Sequence, residues 1–259
     1  MKILVVDRLE RGIAYGEACF ETFRVIDGDV FDWSGHWLRL QRGLAEFGLR
    51  LPEGQGEELL FASLREAAKV GPDVLVRLTV SGGEANWGLA AKKVEPNVYI
   101  QCVPYTRSRS PGFLRLECWP FPLKQKQAKF SSDYAETLRA LHGAADINVL
   151  FEQDGELIAT ATANILLYRD GCWRTPVAEA GVLPGRVRDF LIRKAQVIEE
   201  PCPVAWLDDC EAAAICNSGL FIQPVAYVAN VERTDAMEMH HGGFQPLFDA
   251  LQEQKGVRL

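Results

Sequence analysis

Three aspartate-glycine pairs, Asp27-Gly28, Asp154-Gly155 and Asp170-Gly171, each separate two runs of apolar residues. Glycine takes positive φ without steric cost and aspartate tolerates it, so such a pair closes a two-residue turn whose twist matches that of the flanking strands. Each therefore predicts a β-hairpin. The first joins a strand from Ala18 to Ile26 to a return strand from Asp29 to Trp33. The other two lie beyond the middle of the chain, so antiparallel pairing is expected in both halves.

Helices are expected between these strands. Ser34 is placed to cap a helix in which Trp37, Leu40, Leu44 and Phe47 recur on one face and Gly48 is the stop. A second amphipathic pattern runs from Glu57 to Lys69 through Leu60, Leu64 and Ala67. Val74 to Val80 and Asn97 to Val103 read as strands. The polar, Pro- and Gly-containing stretch from Thr106 to Gly112 is the most linker-like. Beyond it come helices at Asp133 to His142, Pro184 to Ala195 and Pro246 to Gln254, and a strand from Ala212 to Cys216. The fold class is α+β: an N-terminal α/β lobe over 1–106, a linker over 107–112 and a C-terminal α/β lobe over 113–259. Clefts between such lobes are where ligands usually sit.

Composition narrows the function. At 259 residues and 48% hydrophobic the chain can bury a substantial core. A formal net charge of −7 with no basic stripe argues against nucleic acid as a partner. The seven cysteines are scattered without a CxxC, which suits reduced thiols in a cytoplasmic protein. His240 and His241 are adjacent and point in different directions, so no metal spacing is present. No run reaches the roughly 20 apolar residues that would span a membrane.

Four segments, in order, resemble the class IV aminotransferase family. They are YGEACFETFRV (Tyr15 to Val25), SGHWLRL (Ser34 to Leu40), RTPVAEAGVLPGRVRDFLI (Arg174 to Ile192) and AAICNSGLFIQPV (Ala213 to Val225). The resemblance implies the two-lobed fold-type IV architecture, similar to D-amino acid aminotransferase, with the active site in the interdomain cleft. It implies pyridoxal 5'-phosphate as cofactor, a small-molecule amine or amino acid as substrate, and a homodimer.

The pattern of the family's branched-chain members places a tyrosine five residues after the lysine that forms the Schiff base, whereas the lyase and D-amino-acid branches tend to carry Lys-x-x-Asn, an asparagine absent here. Among Lys124, Lys126 and Lys129, only Lys129 has that spacing, to Tyr134. The phosphate cup would be Gly185 with the amides of Arg186 and Val187, since a helix N-terminus presents unpaired donors and a positive dipole end to an anion. Ser218 would add a hydroxyl, Gly219 a further amide and Arg39 a charged contact.

Two departures bear on the reaction. The family's glutamate for the pyridine nitrogen stands five residues before an Asn-hydrophobic pair, and here that place is Ala159. Glu156 is three residues too early, a displacement that reverses the face of a strand unless a bulge intervenes. Thr160 or Thr162 could offer only a hydroxyl. In the loop SGGEANWGL, Trp87 stands where lyases of the family carry a second arginine. The leading expectation is a lyase releasing 4-aminobenzoate and pyruvate, closest to the 4-amino-4-deoxychorismate lyase branch, with aromatisation driving the reaction despite a weaker electron sink. The alternatives are an aminotransferase for branched-chain or D-amino acids and a repurposed or non-catalytic member.

Overall fold

The computed structural model describes every residue except 1, 2, 4, 52, 53, 55, 91–94, 107–111, 143–148, 231–236 and 239–242. Of the expected linker at 107–112, residues 107–111 lie outside the described residues, as does the His240-His241 pair, while Gly112 already opens a strand. The chain divides into two units. One comprises Met1–Tyr105 with Gln127–Ala135, the other Thr106–Lys126 with Glu136–Leu259.

The first unit contains β1 (Leu9–Glu10), α1 (Arg11–Tyr15), β2 (Ala18–Ile26), β3 (Asp29–Val30), α2 (Trp33–Glu46), α3 (Glu57–Ala67), β4 (Asp73–Ser81), β5 (Glu84–Ala85) and β6 (Asn97–Pro104). Its main sheet is antiparallel in the order β3-β2-β4-β6, and β1 pairs separately with β5. Strand β4 shows why it forms. Val74, Val76, Leu78 and Val80 are buried while Leu75, Arg77 and Thr79 on the other face are only partly covered. The buried set packs with Phe23, Val25, Leu40, Leu44, Leu60 and Leu64 into one core.

The Asp27-Gly28 turn has both residues at positive φ, 51° and 85°, as the hairpin requires. The return strand is shorter than expected, and α2 begins at Trp33 rather than after Ser34. Asp32 takes a left-handed conformation (φ 49°, ψ 45°), which ends the strand, and its carbonyl accepts the His36 amide at 3.1 Å. Ser34 thus lies inside the first turn and caps nothing.

The second lobe, read from sequence as continuous from residue 113, gives up Gln127–Ala135 to the first unit. The Phe20 amide donates to the Lys129 carbonyl at 3.0 Å, Cys19 bridges Phe130, and the Phe130 ring meets Phe47 edge-on at 4.8 Å.

The second unit comprises β7 (Gly112–Cys118), most of α4 (Tyr134–His142), β8 (Val149–Gln153), β9 (Glu156–Thr160), β10 (Asn164–Arg169), β11 (Cys172–Thr175), α5 (Arg186–Lys194), β12 (Ile198–Glu199), β13 (Ala212–Asn217), β14 (Phe221–Asn230), β15 (Met237–Glu238) and α6 (Gln245–Gln252). The nine-stranded sheet runs β12-β11-β10-β13-β14-β7-β8-β9, with β15 beside β14. Ile165, Leu166 and Leu167 of β10 are all fully buried, so this central strand is covered on both faces and cannot alternate. Leu114, Leu150, Leu157 and Ile165 belong to one apolar cluster, and Trp119, Phe151, Ile158 and Val182 to another.

Candidate active site

The first unit positions Lys129. Its backbone is tied to β2 through Phe20, and its Nζ lies 5.3 Å from the centre of the Phe20 ring. The same ring stacks on Tyr134 at 5.2 Å and 19°, and the Arg77 guanidinium lies 3.6 Å from the Phe20 ring centre. Burial, the largest cause, and the positive charges of Arg39 and Arg77 lower the Lys129 ammonium to about 8, against an opposing pull from Glu21. The neighbouring lysines differ. Lys124 is exposed and ion-paired with Glu136 at 2.7 Å, and Lys126 lies 5.9 Å from the Trp119 ring centre.

Arg39, expected to contact a phosphate, has two nitrogens committed to Glu21: Nε donates to Oε1 at 2.7 Å and Nη2 to Oε2 at 2.6 Å. His36 Nδ1 meets the same Oε2 at 2.6 Å. All three side chains are buried. Burial alone would raise the Glu21 carboxyl, but the charge and hydrogen bonds of Arg39, with those of His36, hold it at about 2.

The segment expected to form a phosphate cup lies in the second unit. Helix α5 starts at Arg186 with Gly185 as its N-cap (φ −70°, ψ 141°), so Pro184 stands before the helix rather than in its first turn. Just before this start, Asn164 Nδ2 donates to the Leu183 carbonyl at 3.0 Å. A Cβ on residue 185 would overlap Asn164 Oδ1, so only glycine fits there. The first amides of the helix, those of Arg186 and Val187, lie at its positive end, where the helix itself offers them no acceptor. Arg188, buried in the same helix, donates through Nη2 to the Pro176 carbonyl at 2.7 Å and to Glu199. The β13-β14 turn departs from expectation. The Gly219 amide donates to Asn217 Oδ1 at 2.8 Å and Leu220 follows at 2.9 Å, so the expected donor is already engaged. Ser218 is buried and retains a hydroxyl. Opening amides at a helix start and a hydroxyl are the kinds of donor that a phosphate takes.

Ala159 lies on β9, next to a break in the register. Phe151 pairs with Ala159 and Gln153 with Glu156, but Glu152 pairs with Leu157, so Ile158 is the extra residue of a β-bulge. Phe151 and Gln153 share a face of their strand, and therefore so do Ala159 and Glu156. The bulge thus removes the face reversal expected for Glu156. One carboxylate oxygen of Glu156, Oε2, is buried without a hydrogen-bond partner among the described residues. Thr160 is occupied locally, its hydroxyl accepting the Ala163 amide at 2.9 Å and donating to the Ala163 carbonyl at 3.1 Å. Thr162 is exposed. Trp87 is fully exposed, and the Gly88 amide beside it donates to the Tyr15 hydroxyl at 3.2 Å.

Sequence reading passed over Glu21 and Arg77. A signal for Arg77 was present: in the alternation of β4 it is the one charged residue between Val74 and Val80, on the face opposite the valines. For Glu21 only its place in the quoted FET segment was visible. Among the described residues no group of His, Cys, Asp and Glu is arranged to hold a metal, and no helix is long and apolar enough to cross a membrane.

Comparison with known proteins gives the family. The sequence model of the family described as amino-transferase class IV matches residues 18–228. The aminodeoxychorismate lyase of Bacillus subtilis is 24% identical over 218 residues, covering 76% of this chain and 71% of that protein. The crystal structure of 4-amino-4-deoxychorismate lyase from Pseudomonas aeruginosa superimposes with a TM-score of 0.74 at 22% identity, over 99% of this chain and 97% of that one. The branched-chain aminotransferase of Thermoproteus uzoniensis superimposes with a TM-score of 0.77 at 20% identity, over 93% and 86%. The fold is that of the fold-type IV enzymes, and the chain belongs to the class IV aminotransferase family of pyridoxal-phosphate-dependent enzymes.

Proposed function

We propose that the chain holds pyridoxal 5'-phosphate on Lys129 and acts as a 4-amino-4-deoxychorismate lyase, releasing 4-aminobenzoate and pyruvate. The observation that carries this is the setting of Lys129, a covered amine at about 8 with its Nζ 5.3 Å from the centre of the Phe20 ring and two arginines acting on it. At pH 7.5 roughly a quarter of such amines are neutral, against about one in a thousand at the ordinary lysine value.

Bound pyridoxal phosphate supplies an aldehyde that condenses with amines and a ring that draws electrons from the adjoining carbon. Gly185, the Arg186 and Val187 amides and the Ser218 hydroxyl are assigned to its phosphate, with Arg39 adding charge through whatever reach its Glu21 contacts leave. Tyr134, fixed by stacking on Phe20, is assigned to the ring's phenolic oxygen. Lys129 would be the base that takes the proton from the amine-bearing ring carbon of the substrate and the acid that returns a proton as pyruvate leaves. Ala159 places no carboxylate at the ring nitrogen, which suits a reaction drawn forward by aromatisation. The lyases of Bacillus subtilis and Pseudomonas aeruginosa support this reading.

A second reading, an aminotransferase for branched-chain or D-amino acids, draws on the Lys129–Tyr134 spacing and the Thermoproteus uzoniensis likeness. The test is incubation with 4-amino-4-deoxychorismate and, separately, with amino acid donors. The lyase reading expects 4-aminobenzoate and pyruvate in equal amounts, lost in Lys129→Ala. A keto acid from the donors with no 4-aminobenzoate would replace it by the second. The same residues are proposed to act in a homodimer, which sedimentation would test.

A further inference from the structure

We propose that Arg77 is a positioning residue whose guanidinium, laid on the Phe20 ring, holds an uncompensated positive charge beside the Lys129 amine and so favours the neutral amine. Strand register sets this up. Phe20 stands opposite Thr79 and Thr22 opposite Arg77, so Phe20 and Arg77 are diagonal neighbours on one face of the β2-β4 pair, within reach of long side chains. The other face carries Val76 and Leu78 into the core. The Arg77 guanidinium lies 3.6 Å from the Phe20 ring centre and 5.7 Å from that of Tyr134, and its Nε donates to Thr79 Oγ1 at 3.3 Å. Lys129 Nζ lies 5.3 Å from the same Phe20 centre, so the two cations stand within about 9 Å of each other. At the effective dielectric of about 20 that suits partly covered charges, their repulsion over that distance is worth roughly one unit in the titration of the amine.

What sets Arg77 apart is the lack of a counter-charge. The buried arginines each hold a carboxylate: Arg11 holds Glu17, Arg24 holds Asp73, Arg39 holds Glu21 and Arg188 holds Glu199. Arg77 is half-buried and has no carboxylate partner among the described residues. Its platform is a phenyl ring, which attracts a cation without cancelling its charge. The other charges acting on Lys129 are Arg39 and Glu21, in opposite senses, and those two are bound to each other through both carboxylate oxygens. Burial, the largest influence, and Arg77 act in one direction, toward the neutral amine. Tyr134, stacked on Phe20, is the other titratable group at this ring. The same ring thus carries the backbone anchor of Lys129 through its own amide, the stack of Tyr134 and the charge of Arg77.

The amine titrates with or without a cofactor, so the experiment stands apart from the fate of the lyase reading. Protein freed of carbonyl ligands by dialysis against a free amine is reductively methylated with 13C-formaldehyde. The Lys129 resonance, identified by its loss in Lys129→Arg, is then titrated with pH. Arg77→Met keeps the length of the side chain and removes its charge. It is expected to raise the Lys129 midpoint by roughly half a unit to one unit and to leave exposed lysines such as Lys194 unmoved. Arg77→Lys returns the charge without the planar stack, and its midpoint is expected close to the parent's. An unmoved Lys129 in Arg77→Met overturns the role, because the charge then does not reach the amine. Equal rises in Arg77→Met and Arg77→Lys overturn it too, since packing rather than charge would set the midpoint. Arg77→Gln decides the matter in the same way if Arg77→Met does not fold.

Discussion

Gly185 sits against Asn164 so closely that a Cβ on residue 185 would overlap the Asn164 side-chain oxygen. The same asparagine holds the Leu183 carbonyl at 3.0 Å, so it cannot turn away without releasing the chain that leads into α5. Gly185→Ala must therefore displace the start of the helix or break that hydrogen bond. The expected cost is roughly 1–3 kcal/mol of stability, read by urea unfolding. Affinity for pyridoxal phosphate, followed by its visible absorbance, is expected to fall at least tenfold. Unchanged affinity would remove Gly185 from the phosphate site.

Lys129 makes stability depend on pH in a defined direction. Its ammonium titrates at about 8 when folded, against the ordinary 10.5 of a free lysine. Below 8 both states are protonated and the buried charge carries its full penalty. Between 8 and 10.5 the unfolded chain binds more protons, so stability rises with pH. The gain is at most about 3 kcal/mol, less to the extent that water still reaches the amine. Cofactor-free protein is expected to gain stability on Lys129→Met from pH 7 to pH 10.5 less than the parent does. Parallel curves would mean that the amine titrates at its ordinary value.

Glu21 acts at the other end of the scale. With its carboxyl held at about 2 when folded, against 4.5 otherwise, its contribution is complete above 4.5 and is lost as pH falls through about 2. The difference in unfolding free energy between the parent and Glu21→Gln is therefore expected to shrink steadily across that window. A constant difference would assign the ion pair no part in acid unfolding.

How much of this was legible follows from the range of each interaction. The Asp27-Gly28, Asp154-Gly155 and Asp170-Gly171 turns are local chemistry, and all six residues take positive φ. The periodicities of α2 and β4 are equally local. The start of α2 was misplaced because Asp32 resolves a competition between cap and strand that composition does not encode. The bulge at Ile158 depends on register with β8, and the Glu21–Arg39 pair on two elements meeting 18 residues apart. Gly219 looked like an anion donor until Asn217 folded back onto it.

Arg188 ties α5 to the segment before it. Its Nη2 serves both the Pro176 carbonyl and Glu199, and Glu199 in turn accepts the Ala178 amide at 2.9 Å. Arg188→Met leaves a carboxylate and a carbonyl without that donor. The expected loss is roughly 2–4 kcal/mol in urea unfolding, with the partly exposed Glu199 keeping it from the top of the range for buried pairs. Arg188→Met/Glu199→Gln is expected to recover part of it, and no recovery would mean that packing of the stem dominates.

Ala159 offers the sharpest test of the chemistry. It packs beside Ile158 and Phe151 in a cluster with Trp119, so a carboxylate placed there by Ala159→Glu is partly buried in apolar surroundings. The variant is expected to be less stable by about 2 kcal/mol, with the new carboxyl titrating above its ordinary range. If Ala159 faces the ring nitrogen of pyridoxal phosphate, the cofactor supplies a cationic partner. Saturating cofactor should then raise the melting temperature of Ala159→Glu more than that of the parent. The half-reaction with branched-chain donors should speed up about tenfold, the equivalent of roughly 1.4 kcal/mol at the barrier. A smaller thermal response in the variant than in the parent would show that residue 159 lies away from the ring, and the account of the missing glutamate would fall with it.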